Sequence, residues 1–179
     1  MARIKPLDKN NVTPAVQEAF DRHVSSHDAT ITNMKATLAH SLLAFEVYMQ
    51  WYPLYEKVQA LVGDRAASLY AYSISYASNC PLCSTFFRRI IIQSGSKPEE
   101  LVVNDHERKL MNFGSAIASH KGCIADFVYE DLAKYHSPEE MVVLTAFAGQ
   151  MVATNIFSNV TETDIDAYLL DYIPAKFNV

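Results

Sequence analysis

Cys80-Pro81-Leu82-Cys83 is the stretch whose residue types could do chemistry. Two cysteines with two residues between them can close a small disulfide, or they can supply half of a tetrahedral metal site. The local signals predict that the pair opens a helix. Ser78-Asn79 is a polar break after an apolar run, and Pro81 suits the first helical position because its missing N–H would have been unpaired anyway. Cys80 then falls near the N-cap and Cys83 one turn in. The partial positive charge of a helix N-terminus lowers a thiol pKa below its ordinary value of about 8.5 and raises the thiolate fraction at neutral pH. Phe87 and Ile91 continue the face of Cys80 and Cys83 at offsets of three and four, and that apolar wall acts in the opposite direction. Arg88 and Arg89 lie more than a turn beyond Cys83 and add little.

The rest of the chain must position that pair. With 179 residues, half of them hydrophobic and 20% charged, it is long enough for one well-filled domain. Five glycines are few for a β-rich protein, which favours helices. A formal net charge of −5 and the absence of a dense basic patch argue against a nucleic-acid surface. The first residues, MARIKPLDKNN, hold no apolar run of signal-peptide length, and nowhere do about eighteen apolar residues follow one another, so a cytoplasmic protein with no membrane partner is expected. Three cysteines are too few for a disulfide framework, and in a reducing compartment a close pair is redox-active or metal-binding. Cys123 stands alone and is expected to be a small buried hydrophobe.

Periodicity and capping signals place the helices. Thr13-Pro14 starts a first helix to about His27. From Thr32 a long helical run follows, with Leu38, Leu42, Phe45 and Met49 on one face, and Pro53 kinks or divides it. Gly63 stops that run, Asp64 caps a helix to Ala77, and the cysteine helix comes next. Gly95 to Pro98 makes a turn. Further helices are expected from Asn104 or Asp105, from Cys123 to Lys134 with Phe127 and Leu132 inward, from Ser137 to about Phe157, and from Thr161 to Leu170. No strand and no fixed-period repeat is visible, so the expected class is an all-α, single-domain bundle. The helices Ala66–Ala77 and Met141–Phe157 are apolar around most of their circumference, which makes them central or covered by another subunit, and a homo-oligomer is expected.

Cys80-Pro81-Leu82-Cys83, the preceding Ser75-Tyr76-Ala77-Ser78-Asn79 and the following amphipathic helix resemble the AhpD-like or carboxymuconolactone decarboxylase-like family. Met34 to Ser41, Asp105 to Leu110 and the Ser137 to Asn155 helix resemble it as well. The resemblance implies an AhpD-like helical domain over residues 31–179, preceded by an N-terminal helical extension over residues 1–30. It also implies a homo-oligomer, often a trimer or hexamer. In the redox-active branch the cysteine pair reduces a hydroperoxide and a dithiol reductant restores it. The resemblance assigns Cys83 as the thiol oxidised to sulfenic acid and Cys80 as the thiol that resolves it to a disulfide.

The departures from the family pattern bear on activity. Where it has a glutamate twelve residues before the first cysteine, a histidine four after the second and, in some members, a histidine just before the second, this chain has Ser68, Phe87 and Leu82. None of these moves a proton, and a missing positioned base costs about 10²–10⁴ in rate. The hydroxyls of Tyr70, Tyr72 and Tyr76 on the preceding helix are the substitutes within reach by sequence.

Three functions are therefore weighed. The first is a thiol-dependent peroxidase or disulfide oxidoreductase using Cys80 and Cys83 as catalytic residues. A second is a zinc protein in which His120 and Cys123 join Cys80 and Cys83 in a tetrahedral shell. The third is a non-catalytic oligomeric or ligand-binding module on the same scaffold, with an apolar pocket beside Phe87. His23, His27, His40, His106 and His136 share no ligand spacing and are expected on the surface or at caps. Gly114, Gly122 and Gly149 are isolated, so no phosphate loop and no cofactor is expected.

Overall fold

The computed structural model describes residues 2–177. Among these residues nine α-helices follow one another: α1 (Pro14–His27), α2 (Asn33–Leu38), α3 (Leu42–Met49), α4 (Trp51–Val62), α5 (Asp64–Ala77), α6 (Pro81–Gln93), α7 (Asp105–Ser119), α8 (Asp126–Ala133) and α9 (Pro138–Thr161). Short 3₁₀ segments cover Pro98–Glu100, Ala167–Tyr172 and Ala175–Phe177. Among the described residues there is no strand.

The main core is built by α5, α7 and α9, with α4 and α6 against them. Tyr70, Ile74, Leu110, Phe113, Leu144 and Phe147 are all buried there. Helix α5 is buried on nearly every face because α4, α6, α7 and α9 all pack on it. Its approach to α7 is close enough that only hydrogen fits at Gly114: a Cβ there would lie 2.6 Å from Tyr70 Cε2 and 2.7 Å from Ile74 Cγ1. A second core joins α1, α2 and α3, where Val16, Ala19 and Phe20 meet Leu38, Phe45 and Met49.

Capping chemistry explains the boundaries that the sequence marks clearly. Thr13, Asn104 and Ser137 each accept a backbone N–H from the first turn, and the last two form full capping boxes with Glu107 and Glu140.

Elsewhere the expected boundaries shift. The single run predicted from Thr32 is three helices. It breaks at Ala39-His40-Ser41, where Ser41 recaps the chain, and again at Gln50; Pro53 sits harmlessly in the first turn of α4, where no N–H is needed. Gly63, not Asp64, is the N-cap residue of α5. Helix α8 begins three residues later than expected, and Phe127 points outward at 68% exposure while Leu132 is buried. The closing helix predicted from Thr161 is instead the last residue of α9 followed by a 3₁₀ segment at Ala167–Tyr172. Glu162 ends α9 in the left-handed conformation.

Candidate functional site

Helix α6 starts as the sequence predicts, with Cys80 at the N-cap and Pro81 at the first position. The Cys80 N–H is spent on Ser75 O at 3.1 Å, which ties the cap to the end of α5. Its Sγ accepts the Cys83 N–H at 3.5 Å. The two cysteines approach to 3.4 Å, and both are free thiols. Leu82, Leu169, Met34 and Ile165 close over them.

This arrangement polarises the pair. The Cys83 thiol donates to Cys80 and lowers its pKa; burial opposes that, and the N–H groups of Cys83 and Leu82 add to the lowering. The same hydrogen bond, burial and the nearby Cys80 charge raise Cys83 well above an ordinary thiol. The Ser158 hydroxyl, which makes no well-formed hydrogen bond, lies beside Cys83 and acts the other way. The two thiols titrate as a unit, and Cys80 is the more acidic of them.

Access divides the two residues differently. Cys80 is completely buried, whereas Cys83 keeps 7% exposure and lines a cavity of about 750 Å³. Trp51, Tyr52, Phe86 and Phe87 give that cavity an aromatic wall, and Met34 and Leu169 add aliphatic surface. Its size and apolar character suit a small organic molecule rather than water alone.

The proton-relay positions hold no base. Phe87 is a cavity wall, Leu82 covers the thiols, and the Ser68 hydroxyl pairs with Tyr55 OH at 3.1 Å. Of the tyrosine substitutes, Tyr70 is fully buried and donates to Leu144 O at 3.0 Å, while Tyr72 and Tyr76 form a tilted ring pair and do not line the cavity.

The four-ligand zinc shell is overturned. His120 Nδ1 lies 3.1 Å from Ala116 O at the end of α7, Cys123 is exposed, and no group of three or more metal-ligating side chains gathers among the described residues. That exposure also corrects the expectation of a buried Cys123; Gly122 and Lys121 turn the chain outward there in left-handed conformations.

Sequence reasoning missed other features of the site. The histidines are not scattered: His23, His27 and Tyr52 stack together beside the cavity, and His106 Nε2 lies 2.8 Å from His136 Nε2. Lys35 is 4% exposed and reaches the cavity lining with its ammonium on Thr30 O at 2.6 Å. Burial pulls its pKa down to about 8. Asp166 also lines the cavity; one oxygen accepts the Asn33 N–H at 2.9 Å and the other has no partner. Nothing in the helical period distinguishes a lysine that turns inward from one that faces water.

The chain has the all-helical AhpD-like fold. No protein-family model matches it, and no curated protein matches it significantly. Among solved structures, the debrominase Bmp8 without ligand aligns with a TM-score of 0.75 and 17% identity, over 96% of this chain and 97% of that one. A cysteine-to-alanine variant of Bmp8 in complex with 2,3,4-tribromopyrrole aligns at 0.74, with 17% identity over the same shares of both chains. An uncharacterized peroxidase-related protein from Silicibacter sp. TM1040 aligns at 0.69 with 13% identity, over 93% of this chain and 94% of that one.

Proposed function

We propose that the protein is a dithiol oxidoreductase in which Cys83 attacks a substrate held in the cavity and Cys80 completes the disulfide. An organic hydroperoxide is the first substrate class. The observation that carries this is the division of labour within the pair: Cys80 is the more acidic thiol, and Cys83 lines the cavity. Cys80 then serves as the base that the relay positions lack. It takes the Cys83 proton, the Cys83 thiolate attacks the outer peroxide oxygen, and the O–O bond breaks to give a sulfenic acid and an alkoxide that collects the proton as the alcohol. Cys80 next displaces hydroxide from the sulfenic sulfur to form the disulfide. In balance, one thiol, one thiolate and ROOH give one disulfide, ROH and hydroxide. An external dithiol returns the two electrons.

The aromatic wall and the similarity to a debrominase favour a second reading of the same site. One thiol, one thiolate and an aryl bromide give a disulfide, the arene carrying hydrogen, and bromide.

The test is stoichiometric. Reduced protein mixed with one equivalent of cumene hydroperoxide should lose two of its three thiols, and the Cys80–Cys83 peptide should lose 2 Da. Turnover should follow with dithiothreitol or dihydrolipoamide. Incubation with 2,3,4-tribromopyrrole and measurement of released bromide tests the second reading. Unchanged thiols with every one of these oxidants would leave a non-catalytic module.

A further inference from the structure

We propose that the cavity selects an organic anion, whose acid group pairs with the Lys35 ammonium while its apolar body lies against the aromatic wall beside Cys83. This deepens the dithiol reading and rests on it for its placement of substrate at Cys83.

The argument begins with what Lys35 lacks. An ammonium has three donors, and the one hydrogen bond found for it goes to Thr30 O. No carboxylate lies within ion-pair distance of it among the described residues, although it is almost fully buried. Below its Nζ the Tyr52 ring centroid is 5.0 Å away, so the charge rests on a π face with the remaining donors free. A lysine of this kind is costly unless something completes its shell.

The cavity is where that completion can come from. Lys35 and Cys83 both line it, and Met34, next to Lys35 in the chain, packs on the cysteine cluster. Arg89 lines it as well and has no carboxylate partner among the described residues; its guanidinium lies over the Tyr168 ring at 5.1 Å. Asp166 is the buried carboxylate of the lining. It lies near enough to favour the charged form of Lys35 but does not pair with it, and its unpartnered oxygen is free to accept a donor from the ligand. A hydrogen bond to a charged group out of water corresponds to roughly 10–150-fold in affinity.

Trp51 is the chain's single tryptophan and lines the cavity, so its fluorescence reports occupancy. Binding is measured on Cys83→Ser protein, which cannot turn over, with 4-phenylbutyrate and its neutral isostere 4-phenylbutyramide. The expected result is a Trp51 response to both probes, with the carboxylate bound at least tenfold more tightly. Lys35→Met should abolish that preference, while Lys35→Arg should retain it. No binding of either probe, equal affinities for the two, or a preference that survives Lys35→Met would overturn the proposal. Because the readout is binding, failure here leaves the thiol stoichiometry untouched, and failure of that stoichiometry leaves an anion-binding cavity.

Discussion

The Cys83 N–H points at the Cys80 sulfur from 3.5 Å, and the Cys83 thiol donates to the same atom. Cys80 therefore receives from its neighbour both a backbone and a side-chain hydrogen bond, which is why it is the more acidic thiol although burial opposes its ionisation. Cys83→Ala removes the side-chain donor and should raise the Cys80 pKa; Cys83→Ser keeps a donor and should hold it near the wild-type value. In the converse variant, Cys80→Ala, loss of the neighbouring charge should bring the Cys83 pKa down. Thiolate absorbance at 240 nm, followed against pH, reads all three. A Cys80 that titrates identically in Cys83→Ala and in Cys83→Ser would show that the side-chain hydrogen bond has no such role.

Gly114 sets the distance between α5 and α7. A methyl group there would have to displace the Tyr70 ring and Ile74 together, both fully buried. Overpacking of this kind costs about 1–3 kcal/mol. Gly114→Ala should therefore lower the Tm by several degrees, despite the better helix propensity of alanine, as measured by differential scanning calorimetry. An unchanged or higher Tm would mean that the two helices slide apart freely.

The helical class, the start of α6 and the placing of Cys80 at its N-cap were legible because each has a local cause: a proline at the first turn, a polar break, or a cap. The three-way break of α2, α3 and α4 was not, since apolar periodicity runs on through Ala39 to Ser41 while Ser41 recaps the chain. Phe127 was read as core from spacing alone, yet α8 packs only through its other face. Lys35, Asp166 and the His23–His27–Tyr52 stack were invisible for a different reason. Lys35, Asp166, His27 and Tyr52 line a cavity whose walls come from α1, α2, α3, α4, α6, α9 and the 3₁₀ segment, and only the tertiary fold brings those walls together.

His23 makes acid stability a test of that region. Burial, Lys35 and His27 together lower its pKa from 6.5 to about 4, and its Nε2 has no partner. Between pH 6.5 and pH 4 the unfolded chain binds this proton and the folded chain does not, so stability is full above the upper value and falls as pH drops through the window. The contribution is on the order of 2–3 kcal/mol. Urea unfolding at pH 7, 5.5 and 4.5 should show it, and His23→Leu should flatten the decline. An equally steep decline in the variant would move the effect to other groups.

Lys35 gives a stability signature opposite to that of an ordinary core residue. Its folded pKa of about 8 lies below the unfolded 10.5, so at pH 7 both states carry the proton and the folded state bears the cost of burying it. From pH 8 to 10.5 the folded protein releases that proton before the unfolded chain does, and the cost is relieved as pH rises. Lys35→Met keeps the apolar stem and removes the charge. It should stabilise the protein by on the order of 2–3 kcal/mol at pH 7, with the gain shrinking toward pH 10.5. A charge buried at that cost in the wall of the cavity beside Cys83 fits a role in binding rather than in folding. Chemical denaturation of both proteins at pH 7 and pH 10 decides it. If Lys35→Met is instead destabilised at pH 7, the hydrogen bond to Thr30 O and the contact with Tyr52 outweigh the burial of charge, and Lys35 is a structural strut for the loop between α1 and α2.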